Sequence, residues 1–260
     1  MVSVIFPAAG QGKRLQAGVS VNKALLKLAG KPMLVWTLLK FSSLDEVGEL
    51  IAVVPEDEVD MVERLLARVP KLKPVKVVAG GAERQFSVAN GLKAVSPEAE
   101  LVLVHDAARP LVTTAAIERV IAGARVTGAA VPGVPEKNTI KVVSADGMVE
   151  STPDRSRLWE IQTPQGFHRR VLMEAYLRAM QDGFVATDDA GLVERIGHPV
   201  QVVDGDNWNF KVTTPEDLAA AESFLKNDLA VRAKEGVSAA AEMVADKVGE
   251  MRKCLEEFRG

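Results

Sequence analysis

FPAAGQGKRL, residues 6–15, follows an apolar run from Val2 to Phe6 and ends on two cations before Leu15. A short apolar segment that opens onto glycines and then onto Lys13 and Arg14 reads as a strand, a tight loop and the first half of a polyphosphate site. Gly10 and Gly12 permit backbone angles closed to other residues and let N–H groups approach an anion, while Lys13 and Arg14 supply charge from the side. Leu15 stands where the dinucleotide fingerprint G-x-G-x-x-G requires its third glycine, and the Gly-Lys-Ser/Thr ending of a Walker loop is missing. Hydride transfer and ordinary ATPase chemistry are therefore disfavoured. Taken alone, the stretch has a lesser alternative reading as a strand-to-helix turn carrying chance cations.

Beyond this loop, short apolar runs alternate with amphipathic stretches of helical length, the pattern of an α/β fold with a mostly parallel sheet and crossover helices. The predicted strands are Val2 to Phe6, Glu49 to Val54, Val75 to Val78, Leu101 to Val104 and Ala129 to Val131. The predicted helices lie near Pro32 to Phe41, Glu56 to Arg68, Glu83 to Ala94 and Thr114 to Ala124, with Pro32 suited to a first helical turn. Ligands of such sheets gather at the strands' C-terminal ends, which places the glycine loop, His105-Asp106 and Gly80-Gly81 on one rim. Between Glu136 and Trp159 the alternation breaks: two short β-type runs flank Asp146-Gly147, a hairpin signal that predicts a protruding arm over about 136–159.

With 260 residues and 47% hydrophobic content, the chain can bury a large core. A formal net charge of -3 gives no overall basic field, so nucleic acid is excluded as a partner in favour of a small phosphorylated ligand met by local cations. Cys254 is the only cysteine, which rules out an intramolecular disulfide framework and points to a reducing, cytoplasmic setting. The opening lacks a basic leader, and no run of eighteen apolar residues suggests a membrane span.

Several further motifs follow in order: Asn22-Lys23-Ala24-Leu25, Gly30-Lys31-Pro32, GGAERQFSV (80–88), HDAARP (105–110), QTPQGF (162–167), TDDA (187–190) and NFKVTTPEDL (209–218). Together with the AAGxGxR form of the glycine loop, they resemble the sugar-phosphate nucleotidyltransferases, and among these the 2-C-methyl-D-erythritol 4-phosphate cytidylyltransferase family, over about residues 2–226. The resemblance implies a Rossmann-like fold and a reaction between CTP and methylerythritol phosphate, with Mg²⁺ as cofactor. By that resemblance Ala8, Ala9, Gly10, Gly12 and Lys13 cradle the nucleotide, and Gly80, Gly81 and Ser87 read the cytosine edge. Arg109, Thr163 and Thr187 contact the acceptor. The arm embraces a second subunit, so that Thr139 and Arg155 reach the partner's substrate in a homodimer.

Nucleotidyl transfer needs no enzyme nucleophile. Both reactants are polyanions, and the protein must hold them in line and stabilise charge on the transferring phosphorus. Arg14 and Lys23 are the expected clamps on the triphosphate, and Lys211 approaches from a predicted late strand, NFKVT. Asp106 follows an apolar run, so its carboxylate should emerge at the sheet's C-terminal edge, able to bind Mg²⁺ or a substrate hydroxyl. His105 is read as structural, since a phosphate monoester is already largely ionised near neutrality. Thr187 reads equally as a helix cap, and Asp188-Asp189 as an acidic helix start rather than metal ligands.

Three departures from the family pattern stand out: Ala82 in place of the usual Asp, Asn22 in place of the usual Pro before Lys23, and residues 228–260 beyond the usual end. The second is expected to alter loop rigidity, because proline restricts φ and asparagine does not. In the extension, which is read as separate from a domain of residues 1–227, Val237, Ala241, Val244, Val248, Met251, Leu255 and Phe258 recur at spacings of four and three. That seam predicts an extra C-terminal helix. The alternatives to the leading function are a ribitol 5-phosphate type cytidylyltransferase and a non-catalytic nucleotide-binding regulatory module.

Overall fold

The computed structural model describes residues 1–10 and 22–228, so Gly12, Lys13, Arg14 and the apolar seam from Val237 to Phe258 lie outside the described residues. In chain order the elements are β1 (Val2–Pro7), β2 (Lys27–Leu28), β3 (Lys31–Pro32), α1 (Met33–Ser42), β4 (Val47–Val54), α2 (Val59–Leu66), β5 (Val75–Ala79), α3 (Arg84–Ala94) and β6 (Leu101–Val104). There follow α4 (Thr114–Thr127), β7 (Ala129–Pro135), β8 (Val142–Val143), β9 (Val149–Ser151), β10 (Trp159–Ile161), β11 (Gln165–His168), α5 (Arg169–Asp182), α6 (Asp189–Arg195) and β12 (Gln201–Asp204). Residues 215–228 are helical.

The main sheet runs β10-β7-β11-β6-β1-β4-β5, with β12 also paired to β7. Strands β6, β1, β4 and β5 are mutually parallel, as the alternating pattern predicts, and β12 lies parallel to β7; β11 and β10 run antiparallel to their neighbours. Strand β1 shows why its sequence is apolar throughout. Val4 and Phe6 point into the layer shared with α1 and α4, Ile5 points into the opposite layer with α3 and α5, and all three are fully buried. Each such side chain contributes about 1.5–3 kcal/mol by leaving water. The two core layers fix the C-terminal ends of β1, β4, β5 and β6 along one edge.

Helix α1 begins one residue later than Pro32, which stands at its N-cap. The predicted long helix over Glu56 to Arg68 divides into a 3-10 turn, Glu56–Glu58, and the shorter α2. The arm forms as its Asp-Gly signal requires: β8 and β9 pair antiparallel, and Gly147 takes a φ of 85° at the turn. The predicted strand NFKVT does not form. The Asn209 N–H donates locally to the Asp206 carbonyl and the Val212 N–H to Ala108 in the turn after β6, not to a sheet edge.

Candidate functional site

Four loops meet at the rim. After β1, the Ala8 N–H donates to the Val53 carbonyl, which holds the start of the glycine loop against β4. Across from it, a Cβ on Gly80 would lie 2.6 Å from the Ala9 side chain and 3.0 Å from Ser87 Oγ, so only glycine lets these loops approach. Ser87, buried at the first turns of α3, accepts from the Gly81 N–H at 3.1 Å and donates to the Glu83 carbonyl at 3.1 Å. Its hydroxyl therefore shapes the double-glycine loop. Ala82, at the same loop, is exposed.

Lys23 opens a 3-10 turn, Lys23–Leu25, whose cap is Asn22. The Asn22 side-chain oxygen accepts from the Ala24 N–H at 3.0 Å, and its amide donates to Glu58 at 2.5 Å. The expected change in loop rigidity thus takes a definite form: the residue in proline's place is buried and bonded at both ends of its side chain.

Asp106 is the electrostatic centre. Its Oδ2 meets Lys211 Nζ at 2.6 Å and its Oδ1 meets Arg84 Nε at 3.1 Å. Arg84 also reaches Asp189 with Nη2 at 2.8 Å, and Tyr176 donates its hydroxyl to the other oxygen of Asp189 at 2.5 Å. Burial alone would raise the Asp106 carboxyl, but the nearby Arg84 and Lys211 charges outweigh it and hold it well below the usual carboxylate range. Burial would likewise lower Arg84, yet Asp189 and Asp106 outweigh it and raise it further. Buried Arg109 adds a third cation near Asp106. Both Asp106 oxygens are engaged by cations, and the described residues contain no group of three or more His, Cys, Asp or Glu suited to a metal.

His105 is fully buried against Phe41 and Phe6. Its Nε2 faces the Arg109 carbonyl at 3.1 Å and its Nδ1 faces Thr163 Oγ1 at 3.1 Å. A carbonyl only accepts, so Nε2 carries the proton and Nδ1 accepts from the threonine. Burial pulls the imidazole down to about 3, which keeps it neutral and suits a structural role. Thr163 Oγ1 also accepts from the Asp106 N–H at 3.1 Å, so its hydroxyl holds the site's backbone. Arg109 is buried and donates to the Asn209 carbonyl at 2.6 Å, while its Nε has no hydrogen-bond partner among the described residues.

The acceptor-side segment is fastened by two glutamines. Gln165 accepts from the N–H groups of Asp189 and Ala190 and donates to Asp188, and Gln85 bridges the Phe184 carbonyl and the Ala186 N–H. Asp188, not Thr187, caps α6 by accepting from the Gly191 N–H; Thr187 stands exposed beside it. Thr139 and Arg155 are exposed on the arm, where Arg155 donates to the Lys137 carbonyl at 2.8 Å.

Arg84 is the residue at the rim that sequence reasoning missed, although it sits inside GGAERQFSV. A signal was present: a cation in the first turn of a helix opposes the helix dipole, so it calls for acidic partners. Gln165 and Gln85 carried no comparable signal, because most of their partners are backbone groups.

The family described as 2-C-methyl-D-erythritol 4-phosphate cytidylyltransferase matches residues 2–227. The chain is 46% identical over 228 residues to the protein of that name from Syntrophus aciditrophicus, covering 87% of this chain and 97% of the relative. It is 48% identical over 225 residues to that from Bacillus cereus, covering 86% and 98%. Among solved structures, the 2-C-methyl-D-erythritol 4-phosphate cytidylyltransferase of Thermus thermophilus superposes with a TM-score of 0.71 at 37% identity, covering 86% of this chain and 98% of that one.

Proposed function

The chain belongs to the 2-C-methyl-D-erythritol 4-phosphate cytidylyltransferase family, and on that premise we propose how its residues divide the work. It transfers a cytidylyl group from CTP to 2-C-methyl-D-erythritol 4-phosphate, giving 4-diphosphocytidyl-2-C-methyl-D-erythritol and pyrophosphate, in isoprenoid biosynthesis. An oxygen of the acceptor phosphate attacks the α-phosphorus of CTP. The bond from that phosphorus to the bridging oxygen breaks, and pyrophosphate leaves with the electron pair.

The observation that carries the division of roles is the convergence of Lys211, Asp106 and the Gly80-Gly81 loop on the rim formed by β1, β5 and β6. Ala8, Ala9 and Gly10, with Gly12 and Lys13, cradle the triphosphate. Arg14 and Lys23 stabilise the charge on the transferring phosphorus, where preorganised cations act most strongly. Gly80 and Gly81 read the base through backbone atoms, held in shape by Ser87. Lys211 receives the acceptor phosphate, Asp106 orients Lys211, and Arg109, Thr163 and Thr187 form the acceptor side.

Mg²⁺ is proposed as the cofactor, neutralising charge that develops on the phosphates. Triphosphate oxygens and water would supply most of its ligands, with Asp106 the rim carboxylate that would join them. We also propose a homodimer through the arm. Val142, Val143, Met148 and Val149 are exposed on a two-stranded hairpin, a unit that is marginal without a surface to pack on. The dimer would bring Thr139 and Arg155 to the partner's acceptor. The cytoplasm is the proposed location, supported by the single cysteine; no helix among the described residues is long and apolar enough to cross a membrane.

Turnover of Lys23→Ala and Arg14→Ala with saturating CTP and acceptor tests the electrostatic role. Either change should lower it roughly a hundredfold, about 3 kcal/mol of transition-state stabilisation. Wild-type turnover in the folded variants would reject the assignment.

A further inference from the structure

Lys211 and Arg84 share one buried carboxylate, and the two cations differ in freedom. The Lys211 side chain is 42% exposed, whereas Arg84 is 29% exposed and fastened a second time, to the 1% exposed Asp189. Asp189 is itself fixed by Tyr176 and by the Gln165 contact to its N–H. When a phosphate draws on Lys211, whose ammonium has three donors, its hold on Asp106 weakens, and a carboxylate that is only 10% exposed is costly to leave without a full counter-charge. Arg84 supplies that charge while fastened a second time, to Asp189.

We propose that Arg84 is a positioning residue that keeps Asp106 neutralised while Lys211 is handed to the acceptor phosphate. The proposal rests on the reading of Lys211 as the acceptor-phosphate cation. Arg84 begins the helix that follows the base-reading loop and ends, through Asp189, on the helix that borders the acceptor, so one side chain also ties the two halves of the site together. Without it, the strongest remaining partner for Asp106 is Lys211 itself, which would then be withheld from substrate.

The test is steady-state kinetics of the full chain, with CTP and 2-C-methyl-D-erythritol 4-phosphate varied separately. The proteins are wild type, R84Q, R84K, K211A and the R84Q/K211A double variant. R84Q should raise the acceptor KM about tenfold and leave the CTP KM within about twofold, while in the K211A background the same change should shift the acceptor KM by less than about threefold, since Arg84 acts through Lys211. R84K keeps a cation for Asp106 and should recover most of the acceptor affinity, which a merely structural role for the guanidinium would not allow. An equal effect of R84Q in both backgrounds, or an R84K protein as impaired as R84Q while binding CTP normally, overturns the proposal. If K211A alone leaves the acceptor KM unchanged, the assignment of Lys211 itself fails, and this proposal falls with it.

Discussion

Asn22 donates its side-chain amide to Glu58 across 2.5 Å, joining the turn that carries Lys23 to the 3-10 turn that follows β4. The same asparagine caps the Lys23 turn through the Ala24 N–H. Its φ of -61° is close to the value that a proline ring enforces, so a hydrogen-bonded cap here does the work that ring geometry does in the usual family sequence. Asn22→Ala should cost about 1–2 kcal/mol, through the lost cap and the lost Glu58 partner. Asn22→Pro should retain more turnover than Asn22→Ala, because the backbone already suits it. Denaturant unfolding and CTP-saturated turnover of the two variants check this; a proline variant slower than the alanine variant would show that the Glu58 bond, not the backbone angle, positions Lys23.

Acid should destabilise the fold through His105. Its folded value, held down to about 3 by burial, lies below the ordinary value of 6.5, so the unfolded chain binds more protons between those limits. The stability that the neutral ring contributes is present in full above about pH 6.5 and is lost as pH falls toward 3, by at most about 1.4 kcal/mol per pH unit for one proton. Asp106, also held low, adds a loss in the same direction at still lower pH. His105→Asn should be less stable at pH 7, since it must replace bonds to Arg109 and Thr163, but should show a shallower fall between pH 6.5 and 4. Urea unfolding across that range measures both slopes; parallel slopes would contradict the assignment.

The central strands were legible because β1, β4 and β6 are buried on both faces, which leaves continuous apolar runs in sequence. The arm was legible from Asp146-Gly147. Helix α5 was not: it starts on Arg169-Arg170 without a side-chain cap, and exposed Met173, Leu177 and Met180 blur its apolar stripe. NFKVT misled because Phe210 and Val212 alternate as in a strand, while the Val212 N–H donates to Ala108 in the turn after β6. Of the site, the glycine loops, Asp106 and Lys211 could be named from motifs. The balance among them could not, because Arg84 pairs with carboxylates 22 and 105 residues away.

The arm makes a separate claim about sharing. Arg155→Ala and Lys211→Ala proteins should each be strongly impaired though still measurable, yet mixed dimers should regain activity, since one site per mixed dimer would hold both native residues. Mass spectrometry verifies the mixture, and pyrophosphate release reads the outcome. Mixed dimers no more active than their parents would place Arg155 outside the partner's site.

Pyrophosphate release measured across CTP, ATP, GTP and UTP, each with 2-C-methyl-D-erythritol 4-phosphate and with ribitol 5-phosphate, tests the central claim most directly. CTP with the methylerythritol phosphate should exceed every other pair by about tenfold or more in kcat/KM, because both the base-reading loop and the acceptor side must be satisfied at once. A faster reaction with ribitol 5-phosphate, or equal rates with UTP, would contradict the account.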